Sequence, residues 1–243
     1  MSGTILITGA SSGIGRATAE PFLRKGWVVG VLARRAEALH ELALEHDNVV
    51  VLPADVTDPA AVEKAFDRFA QTAGRLDVLF NNAGTFGVAV PIDEIPLKSW
   101  FEVVNVNLHG MFLCARAAFA QMRRQDPQGG RIINNGSLSA YMPRDGSVSY
   151  STTKHAITGL TRTLSLDGRP FDIACGQLDI GNARTPMVEG LVAKAIEAGE
   201  EAPHTMDVAH AAEAVMHMAD LPLSANVQFM TVMATKMPYI GRG

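Results

Sequence analysis

In "SVSYSTTKHAI", residues 147–157, a tyrosine and a lysine stand four residues apart among small polar side chains. On a helix Tyr150 and Lys154 share one face, a turn apart. A tyrosine alone ionises near pH 10, too high to exchange protons freely at neutrality. A cation one turn away stabilises the phenolate and lowers that value, so the pair is suited to moving a proton. A helix built only to pack needs neither a phenol nor an ammonium on a stripe of serines and threonines.

A second stretch could hold a phosphate-bearing ligand. "TGASSGIG" (8–15) follows an apolar run and opens a helical one. Gly9, Gly13 and Gly15 can adopt backbone angles closed to other residues and let the main chain approach a ligand. Ser11, Ser12 and Ile14 complete the turn and Arg16 follows it. The helix N-terminus beyond presents free N–H groups and a positive dipole end to a pyrophosphate.

Dinucleotide-binding folds place an acid about twenty residues beyond such glycines, on the ribose 2′-hydroxyl. That place here reads "LARRAEAL", with Arg34 and Arg35 after Ala33. A guanidinium pairs with a 2′-phosphate through a planar fork that a carboxylate would repel. The expectation is NADP(H) in preference to NAD(H), which stays possible, with Arg34 the principal determinant and Arg16 a second cation. "PADVTD" (53–58) puts Asp55 and Val56 where an adenine amino group and ring would lie. "FNNAG" (80–84) brings Asn81, Ala83 and Gly84 into a turn small enough for a cofactor to pass close to backbone.

Positioning these groups takes alternating strands and helices. Short Val- and Ile-rich runs lie at 4–8, 27–33, 48–53, 76–81, 131–136, 172–178 and 227–232, most of them bounded by Gly, Asp, Asn or Pro. Segments of helical period fall near 14–25, 35–46, 59–74, 97–125, 147–167 and 206–219. This β-α-β order predicts one doubly wound α/β domain, a mostly parallel seven-stranded sheet with helices on both faces. Pro21 reads against its surroundings, since a proline inside a helix removes a bond and crowds the preceding turn.

Composition narrows the partners. The chain has 243 residues, is 47% hydrophobic and 19% charged, and carries a formal net charge of −4. That length suits one domain, and that charge offers no basic field for nucleic acid or an anionic membrane. No apolar stretch of about eighteen residues is present to span a bilayer. Cys114 and Cys175 lie far apart in apolar runs, which reads as free buried thiols of a reducing, cytoplasmic setting. The seven histidines form no HExxH-like cluster, so no protein-built metal site is expected.

With TGASSGIG, NNAG and YSTTK in order, residues 4–190 closely resemble the short-chain dehydrogenase/reductase family. The resemblance implies a nicotinamide-dependent interconversion of an alcohol and a ketone or aldehyde. Tyr150 would be the general acid/base, with Lys154 lowering its pKa and holding the nicotinamide ribose. A serine binding the reacting oxygen matches Ser137, with Ser139 its rival. An asparagine in a water-mediated relay from lysine to solvent matches Asn107, ahead of Asn105. A homodimer or homotetramer is implied as well.

Two departures from the family pattern stand out. "CGQLDIGNARTPM" (175–187) has Ile180 where a proline is usual, while Gly181 and Thr185 remain for the turn and for the cofactor. The ending "FMTVMATKMPYIGRG" replaces a glycine-rich tail, which leaves subunit geometry open. Substrate walls are expected from Phe86, Tyr141, Met142 and Met187, with a variable segment over 187–206 as a lid. Arg144 and Asp145 read as a solvated turn, and His155 as a surface residue. A non-catalytic dinucleotide sensor and a nucleotide-sugar epimerase or dehydratase are the alternatives. The first usually lacks the tyrosine or lysine; the second needs a larger C-terminal domain.

Overall fold

The computed structural model describes residues 3–240 except 198. Seven strands form one parallel sheet: β1 (Thr4–Thr8), β2 (Val28–Ala33), β3 (Val49–Pro53), β4 (Val78–Asn81), β5 (Gly130–Asn135), β6 (Ile173–Ile180) and β7 (Phe229–Val232). Their order is β3-β2-β1-β4-β5-β6-β7, so the chain reverses direction across the sheet between β1 and β4. In open α/β sheets a crevice opens at such a reversal, outside the carboxyl ends of the strands. The fold is thus a Rossmann-like doubly wound sheet, as the alternation of elements predicts.

Helices cover both faces. On one, α1 (Gly13–Arg24), α2 (Ala36–Glu45) and α8 (Val208–Asp220) bury Phe22, Leu39, Leu42, Val215 and Met218 against β1, β2 and β6. On the other, α3 (Pro59–Ala73) and α5 (Met111–Arg124) bury Phe66, Phe69, Cys114, Ala118 and Met122. Burial on both sides explains why the strands read as continuous apolar runs. Asp58 caps α3 by accepting from Ala60 and Ala61 N–H, with Pro59 at the first helical position. Helix α1 runs straight through Pro21, which lies in its last turn, so only the Ala17 carbonyl loses its ladder donor.

Helices α4 (Leu97–Val104) and α5 join through a π-helical turn, Asn105–Gly110. By length and composition alone the combined run Leu97–Arg124 could cross a membrane. Here Val103, Asn107, Gly110, Met111, Cys114 and Met122 turn one face of it inward. Helix α6 (Val148–Asp167) carries the tyrosine and lysine, and α7 (Pro186–Glu197) occupies part of the 187–206 segment.

Arg131, at the start of β5, is the largest fully buried side chain. Its guanidinium donates to the carbonyls of Leu221, Pro222 and Ala225 and to Asn226 Oδ1, at 2.9–3.2 Å. The connection from α8 to β7 is thereby fastened from beneath. An unpaired buried carbonyl costs about 1–3 kcal/mol, so this cation serves structure rather than catalysis.

Candidate active site

At the carboxyl edge of β1, Gly9 and Gly13 take φ of 69° and 57°, in the left-handed region. A Cβ on Gly15 would sit 2.4 Å from the Gly9 carbonyl oxygen, so the turn closes only without a side chain there. No side chain caps α1 at Ser12 and no acid occupies its first turn. Its leading N–H groups and dipole therefore face the edge of the sheet uncompensated by protein anions. This arrangement fits a pyrophosphate. Thr185 is buried beside Gly13, whose Cβ would meet its Cγ2 at 3.4 Å, and its own Oγ1 accepts from Val188 N–H.

The arginines divide their work in a way the spacing does not reveal. Arg34 is exposed at the end of β2. Arg35 Nη2 donates to Ser11 Oγ and Ser12 Oγ at 3.0 and 3.1 Å, which brings it over the glycine turn. Arg16 pairs with Glu41 at 2.9 Å and so is not an uncommitted second cation. Asp55 Oδ1 accepts from Thr57 N–H and Thr57 Oγ1 in a closed turn. Val56 is buried, and a Cβ on Gly110 would lie 2.7 Å from its Cγ2.

Asn81 departs from its expected place. It is buried, donating to the Met111 carbonyl and to Asn134 Oδ1, so it pins α5 under the sheet instead of facing the cleft. Strand alternation is the reason: the next residue, Asn82, faces the opposite way. Asn82 Nδ2 donates to the Thr8 carbonyl, and it lies 2.8 Å from where a Gly15 Cβ would be. Thr8 Oγ1 accepts from Asn82 and Ala83 N–H at 2.8 and 2.9 Å. The motif "FNNAG" contained this amide, but only strand register assigns it to the cleft. Gly84 is exposed, and a Cβ there would stand 3.3 Å from Asn107 Oδ1.

Ser137, Tyr150 and Lys154 converge at the end of β5. Ser137 is buried and accepts on Oγ from Ser139 N–H at 3.1 Å, which makes Ser139 a support for it. The Ser137 side chain lies close enough to the Tyr150 hydroxyl to pull its pKa down. Phe86 lies edge-on to the Tyr150 ring, centroids 4.7 Å apart at 70°. Lys154 is 3% exposed; its Nζ donates to the Asn135 carbonyl at 2.7 Å and sits 5.5 Å from the Tyr150 ring centroid. Asn135 Nδ2 in turn donates to Asn82 Oδ1, so the lysine's anchor and the glycine turn share one network.

Burial dominates the electrostatics of the protein by itself. It pushes the Tyr150 phenol up to about 12, against the opposing pull of the Ser137 hydrogen bond and the Arg144 cation. It also drives the Lys154 ammonium down to about 8, against the attraction of Asp179. The expected lowering of the tyrosine by its lysine is absent from the influences on this phenol: Ser137 and Arg144 lower it, and desolvation sets the net rise. Arg144, read from sequence as a solvated turn, reaches the site electrostatically and donates to Asn182 Oδ1 at 2.8 Å.

Asn107 lies in the π-helical turn and is fully buried. Its Oδ1 accepts from Thr85 N–H and its Nδ2 donates to the Thr85 carbonyl, both at 2.8 Å. It also donates to Thr153 Oγ1 on α6, at 3.3 Å. Asn105, by contrast, is exposed and paired with His109. Helix turns widened in this way are frequent at functional sites, and no periodicity in the sequence announces them.

Beyond Thr185 the site is more open. Tyr141, Met142 and Met187 are 42%, 43% and 46% exposed, and the carboxyl of Asp179 touches the Tyr141 hydroxyl. At Ile180 the strand stays in register with Val232 of β7, and the bond to the Val232 carbonyl comes from the Gly181 N–H at 2.9 Å. Gly181 is required for packing: a Cβ there would meet Leu138 Cδ1 at 2.6 Å. His155 is exposed, with Nδ1 against the Ser151 carbonyl.

Comparison with known proteins agrees with this geometry. A family model described as short chain dehydrogenase matches residues 3–195. The 1-deoxy-11-beta-hydroxypentalenate dehydrogenase of Streptomyces exfoliatus is 35% identical over 209 residues, 84% of this chain and 76% of that one. A 3beta-hydroxysteroid dehydrogenase of Mediterraneibacter gnavus is 32% identical over 189 residues, 76% and 67% of the two chains. The closed form of serine dehydrogenase with NADP+ superposes with a TM-score of 0.89 at 26% identity, covering 99% of this chain and 98% of that one. The chain belongs to the short-chain dehydrogenase/reductase family, whose enzymes oxidise hydroxyl groups or reduce keto groups.

Proposed function

We propose that this enzyme interconverts an alcohol and a ketone or aldehyde with NADP(H) preferred over NAD(H), Tyr150 acting as general acid/base. The observation that carries the reading is the grouping of the Tyr150 hydroxyl with the Ser137 side chain and the buried Lys154 ammonium, 5.5 Å from the tyrosine ring centroid. When bound, the nicotinamide supplies or takes the hydride. In reduction, Tyr150 donates its proton to the substrate oxygen as that oxygen gains charge. A phenol held at about 12 is fully protonated at neutral pH, the form a donor needs. Ser137 Oγ–H orients the carbonyl and shares its developing negative charge. Lys154 offsets the phenolate left behind and holds the ribose, and Asn107 connects it through water to solvent. Phe86, Tyr141, Met142 and Met187 shape the space for the substrate, with α7 and the residues after it as the variable wall.

The cofactor preference rests on Arg34 and Arg35 at the ribose position, where an NAD-binding fold usually carries an acid. The NADP+ bound to the structurally similar serine dehydrogenase supports it. Ser11, Ser12, Gly13, Ile14 and Gly15 would hold the pyrophosphate against α1. Assembly as a homodimer or homotetramer is part of the same reading. A groove of about 670 Å³ between α5 and α6, lined by Phe112, Phe119, Leu160 and Leu164, with Phe112 half exposed, supports it.

Three outcomes follow. Tyr150→Phe lowers carbonyl reduction by roughly 10²–10⁴-fold while NADPH fluorescence titration still shows binding; retained turnover refutes the assignment. Arg34→Ala combined with Arg35→Ala lowers the ratio of kcat/KM for NADPH to that for NADH by roughly tenfold or more, a charge-assisted pair contributing about 1.5–3 kcal/mol. An unchanged ratio removes the arginines from cofactor choice. Sedimentation velocity shows a dimer or tetramer at micromolar concentration, and a monomer contradicts the assembly.

A further inference from the structure

Asn182, just beyond the end of β6, takes φ of 39°, a left-handed angle that among the described non-glycine residues only Asp172 shares. Asparagine tolerates that region better than most side chains, and the surroundings must offset what strain remains. Those surroundings are hydrogen bonds to two other segments. Asn182 Oδ1 accepts from Arg144 Nη2 at 2.8 Å, and its Nδ2 donates to the His204 carbonyl at 3.0 Å. Its own carbonyl accepts from the Met206 N–H at 3.0 Å, and the Arg184 N–H donates to the Met206 carbonyl at 2.8 Å. Residues 182–184 and 204–206 therefore run side by side, with Ala183 and Met206 in a parallel bridge.

Each partner is rooted in a different element. Arg144 belongs to the loop of Tyr141 and Met142, and its backbone is tied to the start of α6. Its N–H donates to Ser147 Oγ and its carbonyl accepts from the Ser147 N–H, both at 3.2 Å. Tyr150 follows three residues later on that helix. His204 and Met206 lead into Asp207, which caps α8 by accepting from the Ala209 N–H at 2.9 Å. Between Arg184 and His204 the chain carries α7, with Met187 in its first turn. The bridging group must accept from a guanidinium and donate to a carbonyl, and an amide does both. An acid in its place would have no donor for His204.

We propose that Asn182 is a positioning residue of the substrate side of the cleft: its amide clasps the loop of Tyr141 and Met142 to the base of α7, so that the two walls keep one spacing. The inference rests on reading Tyr141, Met142 and Met187 as substrate walls. Asn182 acts through those walls and not on the reacting atoms.

The test compares Asn182→Gly and Asn182→Asp in the intact protein by hydrogen–deuterium exchange with mass spectrometry. Glycine adopts the left-handed angle freely, so that variant removes the amide and keeps the backbone path. Aspartate keeps the acceptor for Arg144 and removes the donor to His204. In Asn182→Gly, peptides spanning 138–146 and 199–206 exchange roughly threefold or more faster, each having lost one hydrogen bond. In Asn182→Asp the 138–146 peptide returns to its wild-type rate, while the 199–206 peptide stays as fast as in the glycine variant. Peptides from β1 and β5 keep their wild-type rates in both variants. A wild-type rate at either segment in Asn182→Gly, both segments loosened in Asn182→Asp, or faster exchange in β1 and β5 as well, overturns the proposal. Kinetics supply a second reading on any carbonyl that the wild type reduces. Asn182→Gly raises the KM for that carbonyl about threefold or more and leaves the KM for NADPH in place; an unchanged carbonyl KM also overturns the proposal. An enzyme inert toward every carbonyl sinks the proposed function, while the exchange pattern still decides the clasp.

Discussion

A cation buried to 3% exposure beside a half-buried tyrosine is the constraint around which this molecule is arranged. An ammonium taken out of water loses hydration that a single carbonyl does not replace. The Asn135 carbonyl, 2.7 Å away, is available because β5 ends there, leaving its last peptide free of the ladder's regular pairing. Asn135 is held by Asn82, Asn82 by Thr8, and Thr8 by its place beneath the glycine turn. The lysine's position is therefore set by the same backbone that forms the phosphate end of the cleft. Displacing β5 relative to β1 would disturb both ends at once.

The order of strands makes this sharing possible. Because the sheet reverses between β1 and β4, the carboxyl ends of β1, β4 and β5 are neighbours, and the loops leaving them diverge to form one crevice. Helix α6 lies across that edge with Ser149, Ser151 and Thr153 buried. Small side chains there let the helix approach closely enough for Tyr150 to reach Ser137, and Thr153 to meet Asn107 of the π-helical turn. The stripe of serines and threonines around the tyrosine thus has a packing reason as well as a chemical one.

The sheet, its helices and the shared helix face of Tyr150 and Lys154 were legible in the sequence because each leaves a local trace, whereas Ser137 was reached only through the family resemblance. Continuous Val- and Ile-rich runs mark the strands buried on both faces, period-3.6 apolar patterns mark the helices, and a tyrosine four residues before a lysine marks one helix face. Other features leave no such trace. The choice of Asn82 over Asn81 depends on which way a strand residue points, a matter of register. Arg35, not Arg34, reaches the serines of the glycine turn because of the backbone angle at the start of α2. The π-helical turn around Asn107 has no periodic signature, and Asp179 looks like any strand-end acid until Ser137 is seen against it. The rise of the Tyr150 pKa is equally hidden, since burial is a property of the assembled fold.

The central claim is that this site moves a hydride between a nicotinamide and a carbinol carbon while Tyr150 handles the proton. The most direct measurement incubates the enzyme with NADPH carrying deuterium at the transferring 4-position and a panel of aldehydes and ketones. Mass spectrometry of the alcohol formed then locates the label. The account predicts one deuterium on the carbinol carbon for each NADPH consumed. Cofactor oxidation that leaves the alcohol unlabelled, or a panel in which no carbonyl consumes NADPH, would contradict it.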